Sequence, residues 1–277
     1  MSNRAMARPG AGRQTQRWVL LAVVALCSSS QFCWLLPGAQ REQTHGTSTV
    51  AARRQALLAL GAASILAIPA DEASAFKNAK EIRGGAKQTG PQPSEIGVLD
   101  RGFDNKGDEI IGLKQCRDGP NCFSTTFESF DVGRNNIEPW TYTGKSGAQA
   151  MKEVKAAVEQ YEPGQNGVDS GGFQIVEAND KYVYAQFQSL KGYVDDVEFA
   201  LSPTKDGAVL LRSGSRLGYL DFAVNYLRIE AIATALQKNG GWSIKLPDGK
   251  SHPFYFKEGN CQIPQVRESP KLGSYCT

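Results

Sequence analysis

An α+β fold, with an antiparallel sheet of about four to five strands packed by two helices in a single compact domain, is predicted for the body of this 277-residue chain. Three observations predict it. Two segments, near 146–162 and 221–238, carry apolar residues at helical spacing; two strand pairs with turn signals lie between them; and the order helix, four strands, helix favours neighbouring antiparallel strands with helices on one face.

The first helix is read from "SGAQAMKEVKAAVEQYEPG". Ser146 with Gln149 three residues later matches a capping box, Met151, Val154, Val158 and Tyr161 recur on one face, and Pro163 with Gly164 stops the helix. Residues 173–178 and 181–190 flank Asn179-Asp180, and Val183, Ala185 and Phe187 alternate with Tyr184, Gln186 and Gln188, which is a hairpin pattern. A second hairpin follows, with residues 203–207 as its loop. Keeping its apolar residues on one face sets Phe199 opposite Leu211 and Leu201 opposite Val209, and the same register brings Glu198 opposite Arg212.

The second helix is expected from Asp221, as its cap, to Lys238, ended by Gly240-Gly241, with Phe222, Ile229, Ile232 and Leu236 as its core stripe. Asp221, Asn225 and Arg228 then follow one another along one edge. Another strand is expected between about 122 and 143.

Around this compact domain, placed at 111–241, the rest of the chain divides by composition. Residues 1–31 have the form of a secretory signal peptide: Arg4, Arg8, Arg13 and Arg17 precede a short apolar run and three serines. Ten apolar residues are too few to span a bilayer. Residues 32–75 read as a plastid transit peptide followed by a lumen-targeting segment, with Arg53-Arg54 before a second apolar run and Ala73-Ser74-Ala75 as its processing site. An uncleaved membrane anchor is the alternative for either run, and a short core helix for the second. The address predicts delivery to the thylakoid lumen of a plastid, with a processed chain beginning near Phe76. Residues 76–110, rich in Lys, Gly, Pro, Asp and Asn, read as an extended arm or linker, and 242–277 as a cysteine-bearing tail that packs on the domain.

The formal net charge of +3 belongs to the address: 7 arginines stand against 3 acids up to Ala75, leaving 24 lysines and arginines against 25 acids in the remainder. A near-neutral body argues against a nucleic-acid binder, which needs a concentrated basic face. The 41% hydrophobic and 21% charged composition is ordinary for a globular protein.

The stretch "RSGSRLGYLDFAVNYLRIE" concentrates Arg212, Arg216 and Arg228 around Asp221 and Asn225. Buried guanidinium groups need partners, and Asp195, Asp196, Glu198 and Asp221 are the acids at hand. One reading is a structural network, with Glu198 pairing Arg212 across the strands, Asp221 or Asn225 holding Arg216 or Arg228, and Asp196 taking part. The other is an anion or carboxylate site between sheet and helices in which Arg212, Arg216 or Arg228, with Asn225, takes an acidic head group. Gly214 and Gly218 allow close approach of a ligand or equally a bend of the strand. Acids are plentiful, and Asp195-Asp196 could serve as a general acid or base, against a plain reading as a salt-bridged or solvated strand end.

"CRDGPNCFST" (116–125), "YVDDVEFAL" (193–201) and "RSGSRLGYLDFAVNYLRIEAI" (212–232) resemble the successive motifs of the domain-of-unknown-function family 1499. The resemblance covers roughly 113–240 and implies a small α+β domain of bacteria and plastids without an established activity. The arm and the tail lie outside it.

Of six cysteines, Cys27 and Cys33 fall in the address and Cys116, Cys122, Cys261 and Cys276 remain as disulfide candidates. The preferred pairing joins 116 to 122 and 261 to 276; stapling of the tail to the domain is the alternative. C-x5-C is neither a redox pair nor a zinc knuckle, and past the address the only histidine is His252, so a metal site and a Ser-His-Asp set are poorly supported. No G-x-S-x-G elbow, G-x-G-x-x-G or phosphate loop occurs. No catalytic activity or cofactor can be read. The expectation is a lumenal binding or auxiliary protein whose partner is a thylakoid membrane complex such as a photosystem, with an arginine-lined small-anion carrier or enzyme as the rival.

Overall fold

The computed structural model describes residues 75–277 apart from 84–88, 105, 118 and 127–133. The signal, transit and twin-arginine segments, up to residue 74, lie outside the described residues.

Sheet formation follows the alternation in the sequence. Strands β5 (Gly172–Ala178), β6 (Tyr182–Gln188), β7 (Val194–Leu201) and β8 (Ala208–Ser215) form consecutive antiparallel hairpins. Phe199 pairs with Leu211, Leu201 with Val209 and Glu198 with Arg212, as the one-face rule requires. The sheet is wider than expected, with seven strands. The predicted strand near 122–143 is two short ones, β3 (Cys122–Ser124) and β4 (Trp140–Tyr142), both pairing with β8, and β9 (Trp242–Ser243) from the tail pairs with β4.

Helix α1 (Gly147–Glu159) lies against β5, β6 and β7, and α2 (Val224–Lys238) against α1, β8, β3 and β9. Ser146 caps α1 by accepting from the Gln149 N–H at 3.2 Å, while the Gln149 side chain donates to Glu153 instead of closing the box. Met151, Val154, Val158 and Tyr161 are buried with Val183, Phe187, Val197, Phe199 and Leu211 in the main core. Phe187 stacks on Phe173 and meets the edge of Tyr161, each at 5.2 Å between ring centres.

The start of α2 differs from the expectation. The chain reverses at Phe222 and Ala223, both left-handed (φ 59° and 60°), so the helix begins three residues after Asp221 and Phe222 is 54% exposed rather than in the core stripe. Each such non-glycine conformation costs roughly 1–3 kcal/mol and must be held by its surroundings. Asp221 holds it: its carboxylate accepts from the Ala223 N–H at 3.1 Å and from the Asn225 N–H at 3.0 Å. Ile229, Ile232 and Leu236 are buried as predicted.

Residues 76–110 do more than extend. The backbone of Lys80 donates to Ser170 and that of Arg83 to Leu190, and β1 (Leu99–Phe103) pairs with β2 (Glu109–Gly112) in a separate two-stranded ribbon. Val98 and Tyr182 cover a small apolar cluster of Leu113, Ala200 and Leu210 on the sheet face away from the helices. That satellite cluster gives the ribbon a reason to form that no alternation in "LDRGF" or "EIIG" announced.

The tail packs on α2. Tyr226, Phe256 and Tyr275 meet edge to face within 5.0–5.4 Å, and Tyr255 and Phe256 are fully buried. The disulfides join Cys116 to Cys122 and Cys261 to Cys276, so the second closes the tail on itself, and packing rather than a covalent staple attaches it to the domain. The Cys261–Cys276 loop, with a sequence separation of 15, is worth about 3 kcal/mol by chain-entropy reasoning. Replacing both cysteines by serine is expected to lower the urea unfolding free energy by about that amount while leaving the far-UV spectrum of the sheet unchanged.

Candidate functional site

The β alternation sends the polar residues of β7 and β8 to opposite faces, and this divides the arginine cluster. Arg228 and Asn225 lie on the helix face. Arg212 and Arg216 lie on the back face, with the sheet between them and the helices.

On the helix face Arg228 is fully buried and uses all of its donors. Its Nε and Nη2 fork the Asp169 carboxylate at 2.9 and 2.6 Å, Nη2 also donates to Asp195 at 2.7 Å, and Nη1 donates to Asn225 Oδ1 at 2.9 Å and Ser213 Oγ at 3.3 Å. Its guanidinium also lies over the Phe187 ring at 4.8 Å. The Tyr161 hydroxyl donates to Asp169, and the Tyr255 hydroxyl and Asn225 amide donate to Asp221. Burial pulls the Arg228 guanidinium down, but Asp169 and Asp195 more than offset this and hold it charged. Burial pushes the carboxyls of Asp195 and Asp221 up. Nothing in this network is left for a ligand.

On the back face Arg216 is also committed. It forks Asp196 through Nε at 2.8 Å and Nη2 at 2.7 Å, and Tyr184 donates to the same carboxylate at 2.6 Å. Burial and that hydrogen bond push the Tyr184 hydroxyl up to about 12. The partner of Arg216 is therefore Asp196, not Asp221 or Asn225; those two sit on the far side of the sheet, where Asn225 holds Arg228 and Asp221 holds the left-handed turn before α2.

Arg212 is different. Its side chain is 9% exposed and among the described residues its only acidic contact is Glu198, with Nη1 3.7 Å from Oε1, too long for a hydrogen bond. Nε and Nη1 are buried without a hydrogen-bond partner, as is Glu198 Oε1. The other oxygen of Glu198 accepts from the Gly97 N–H at 2.6 Å and the Tyr182 hydroxyl at 2.7 Å, which turns the carboxylate away from the arginine. Gly214 makes room for the guanidinium: a Cβ there would lie 3.0 Å from Arg212 Nη2 and 3.1 Å from Cys122 Sγ. Its absence of side chain thus serves packing rather than ligand approach, and Gly218, with φ 89°, serves a turn.

Arg212 lines a cleft of about 780 Å³ on the back face, away from the expected place between sheet and helices. One wall is Arg117, Gly119, Asn121 and Cys122 of the disulfide-closed loop, another is residues 91–94 of the arm, and Lys114, Arg216 and Tyr219 complete it. Among the described residues its lining holds four cations and no carboxylate. Lys114 is paired to Glu95 at 3.0 Å and Arg216 to Asp196, whereas no described acid pairs with Arg117. The arrangement can hold an anion by a buried guanidinium from below and an exposed one from the rim. Neither Lys114, Arg117 nor Tyr219 stands out in the sequence; nor does Asp169, whose role depends on a left-handed backbone at φ 56°.

His252 is buried, with Nε2 2.6 Å from the Asn136 carbonyl, and burial lowers its pKa. Among the described residues no three potential ligands from His, Cys, Asp and Glu converge on a metal position.

Fold and site together define a small α+β domain with a cation-lined cleft on the outer face of its sheet. Residues 112–236 match the model of the family described as "Protein of unknown function (DUF1499)", so the resemblance carried by the three sequence motifs is shown over that stretch. It runs from the end of β2 into the last turn of α2 and includes Arg212, Arg216, Arg228, Lys114 and Arg117, but not residues 91–94 or the tail. No curated protein and no solved structure matches the chain.

Removing one partner of a buried charge network leaves the other charges uncompensated, at about 3–5 kcal/mol. Arg228→Met is therefore expected to lose about that much unfolding free energy, or to fail to accumulate folded. Adding Asp169→Asn and Asp195→Asn should recover part of the loss, which denaturant melts of the single and triple variants would measure.

Proposed function

We propose that this protein is a binding protein that takes an anionic group into the Arg212 cleft, working in the thylakoid lumen. The observation that supports it is Arg212: a nine-tenths buried guanidinium whose Nε and Nη1 make no hydrogen bond to any described residue, at the floor of a cleft lined by cations. A buried, unsatisfied charged donor is costly unless something occupies its hydrogen-bonding positions, and an oxyanion does so. The location rests on the targeting pattern of residues 1–75, and no helix among the described residues is long and apolar enough to cross a membrane.

Inorganic sulfate is the simplest probe. The processed chain is expected to bind it in titration calorimetry, and Arg212→Gln to weaken binding by about tenfold or more, the size of a lost charge-assisted hydrogen bond of about 1.5–3 kcal/mol. Unfolding midpoints would show whether the variant keeps its fold. Equal sulfate affinity in folded wild type and variant would sink the proposal.

The Glu198 carboxyl adds a pH dependence. Burial raises its pKa above the ordinary carboxylate range, although the Gly97 N–H, Arg212 and Tyr182 favour its charged form and Asp196 adds to the rise. Protonating Glu198 removes the counter-charge of Arg212. Sulfate, which stays fully charged, should thus bind more tightly as pH falls through that raised value and least tightly above it. Glu198→Gln should bind tightly and without this dependence.

A second reading, an auxiliary subunit of a thylakoid membrane complex such as a photosystem, is favoured by the β1–β2 ribbon. It lies almost wholly outside the family match and exposes Leu99 and Phe103, the latter at 72%. On that reading the protein co-migrates with one complex when solubilised thylakoids are fractionated and followed by mass spectrometry; recovery only among free lumenal proteins would reject it.

A further inference from the structure

One side chain on the rim of the Arg212 cleft, Tyr219, belongs to an exposed apolar stretch of the chain. The connection from β8 to α2 carries Leu217, Tyr219 and Phe222, all exposed, with Tyr219 at 62% lining the cleft itself. The backbone of this connection is held at several points. Leu217 lies against the arm, where a Cβ on Gly90 would come 2.9 Å from its Cγ, and the Tyr219 carbonyl is 3.0 Å from the position of a Gly119 Cβ in the disulfide-closed loop. The Asn121 amide donates to the Gly218 carbonyl at 2.5 Å. Phe222 is turned outward by the left-handed pair that Asp221 holds. The connection thus presents aromatic and aliphatic groups to water, with Tyr219 beside the cluster of cations.

A small free anion satisfies Arg212 and Arg117 but leaves the apolar rim exposed. An anion fixed at the surface of a bilayer satisfies both: the head group reaches the guanidinium groups while tyrosine, phenylalanine and leucine enter the interfacial layer, where such side chains are favoured. Resting on the anion-binding reading above, we propose that the occupant of the cleft is the anionic head group of a membrane lipid, with Leu217, Tyr219 and Phe222 seated in the bilayer interface around it. The protein then docks on the membrane surface through this one edge. Docking draws on both charge and apolar contact, the combination that stable peripheral binding requires.

Co-sedimentation of the processed chain tests this, using vesicles of neutral phosphatidylcholine and vesicles in which part of it is replaced by phosphatidylglycerol. The chain should partition to the anionic vesicles and not to the neutral ones. Phe222→Ser should weaken that partition by about fivefold and leave sulfate affinity unchanged, because Phe222 is exposed and does not line the cleft. Arg117→Gln should weaken it by about fivefold, the effect of one basic residue at a charged surface. Sulfate binding without vesicle binding would overturn the lipid assignment and leave the anion site standing, with a free anion as its ligand. Equal binding to neutral vesicles would overturn the head-group role. Binding of neither probe would overturn both proposals.

Discussion

The structure turns on one buried charge. Arg228 sits at the centre of the core with five donor groups and acceptors from four residues of four different elements. A lone guanidinium there would cost several kcal/mol, a large share of a domain's stability; satisfied on every side, it becomes a constraint on how the elements meet. Asp169 must come from the loop before β5, Asp195 from β7, Ser213 from β8 and Asn225 from α2, and through Asn225 and Asp221 the same chain of bonds reaches Tyr255 in the tail. No pair of these elements can shift without breaking a bond to a charge. The network specifies arrangement more than it adds stability, since an apolar core of the same shape would be no less stable.

The back face of the same strands shows the opposite electrostatics. Arg216 and Asp196 form a forked pair of the kind that closes a structural question, whereas Arg212 and Glu198 are aligned by the β register yet stay 3.7 Å apart. The reason is competition: the arm's Gly97 N–H and Tyr182 hold the glutamate from the other side. The segment that covers the sheet therefore also withholds the partner of the cleft arginine. Most of that segment lies outside the family match, as do residues 91–94 of the cleft wall, whereas the floor lies within it.

The same division runs through the rim. The loop 216–223 is held by Asp221, a member of the buried network, and by Asn121 and Gly119 of the disulfide-closed loop. The interior thus shapes what the surface presents, since the outward turn at Phe222 follows from bonds to the buried Asp221 carboxylate.

What the sequence alone determined is local. Alternation in "YVYAQFQ" and "VDDVEFAL" settles the hairpins, and with them the pairing of Phe199 with Leu211 and Glu198 with Arg212, because a one-residue slip would turn every apolar side chain to the wrong face. Helical spacing and Ser146 settle α1, and the closeness of Cys116 to Cys122 in the chain is enough to make their pairing the simplest one. The tertiary structure decided everything that depends on which face meets which element. Three arginines that look like one cluster within seventeen residues of sequence are split by the thickness of a sheet, and only their surroundings distinguish the saturated from the unsatisfied. Asp169, Lys114, Arg117 and Tyr219 carry no local signal, since their roles arise from contacts made across long separations. Phe222 reads as core by period and is turned outward by a buried carboxylate. Periodicity reports which residues share a face, but the value of a charge depends on what else reaches that face, and that is fixed only when the chain has folded.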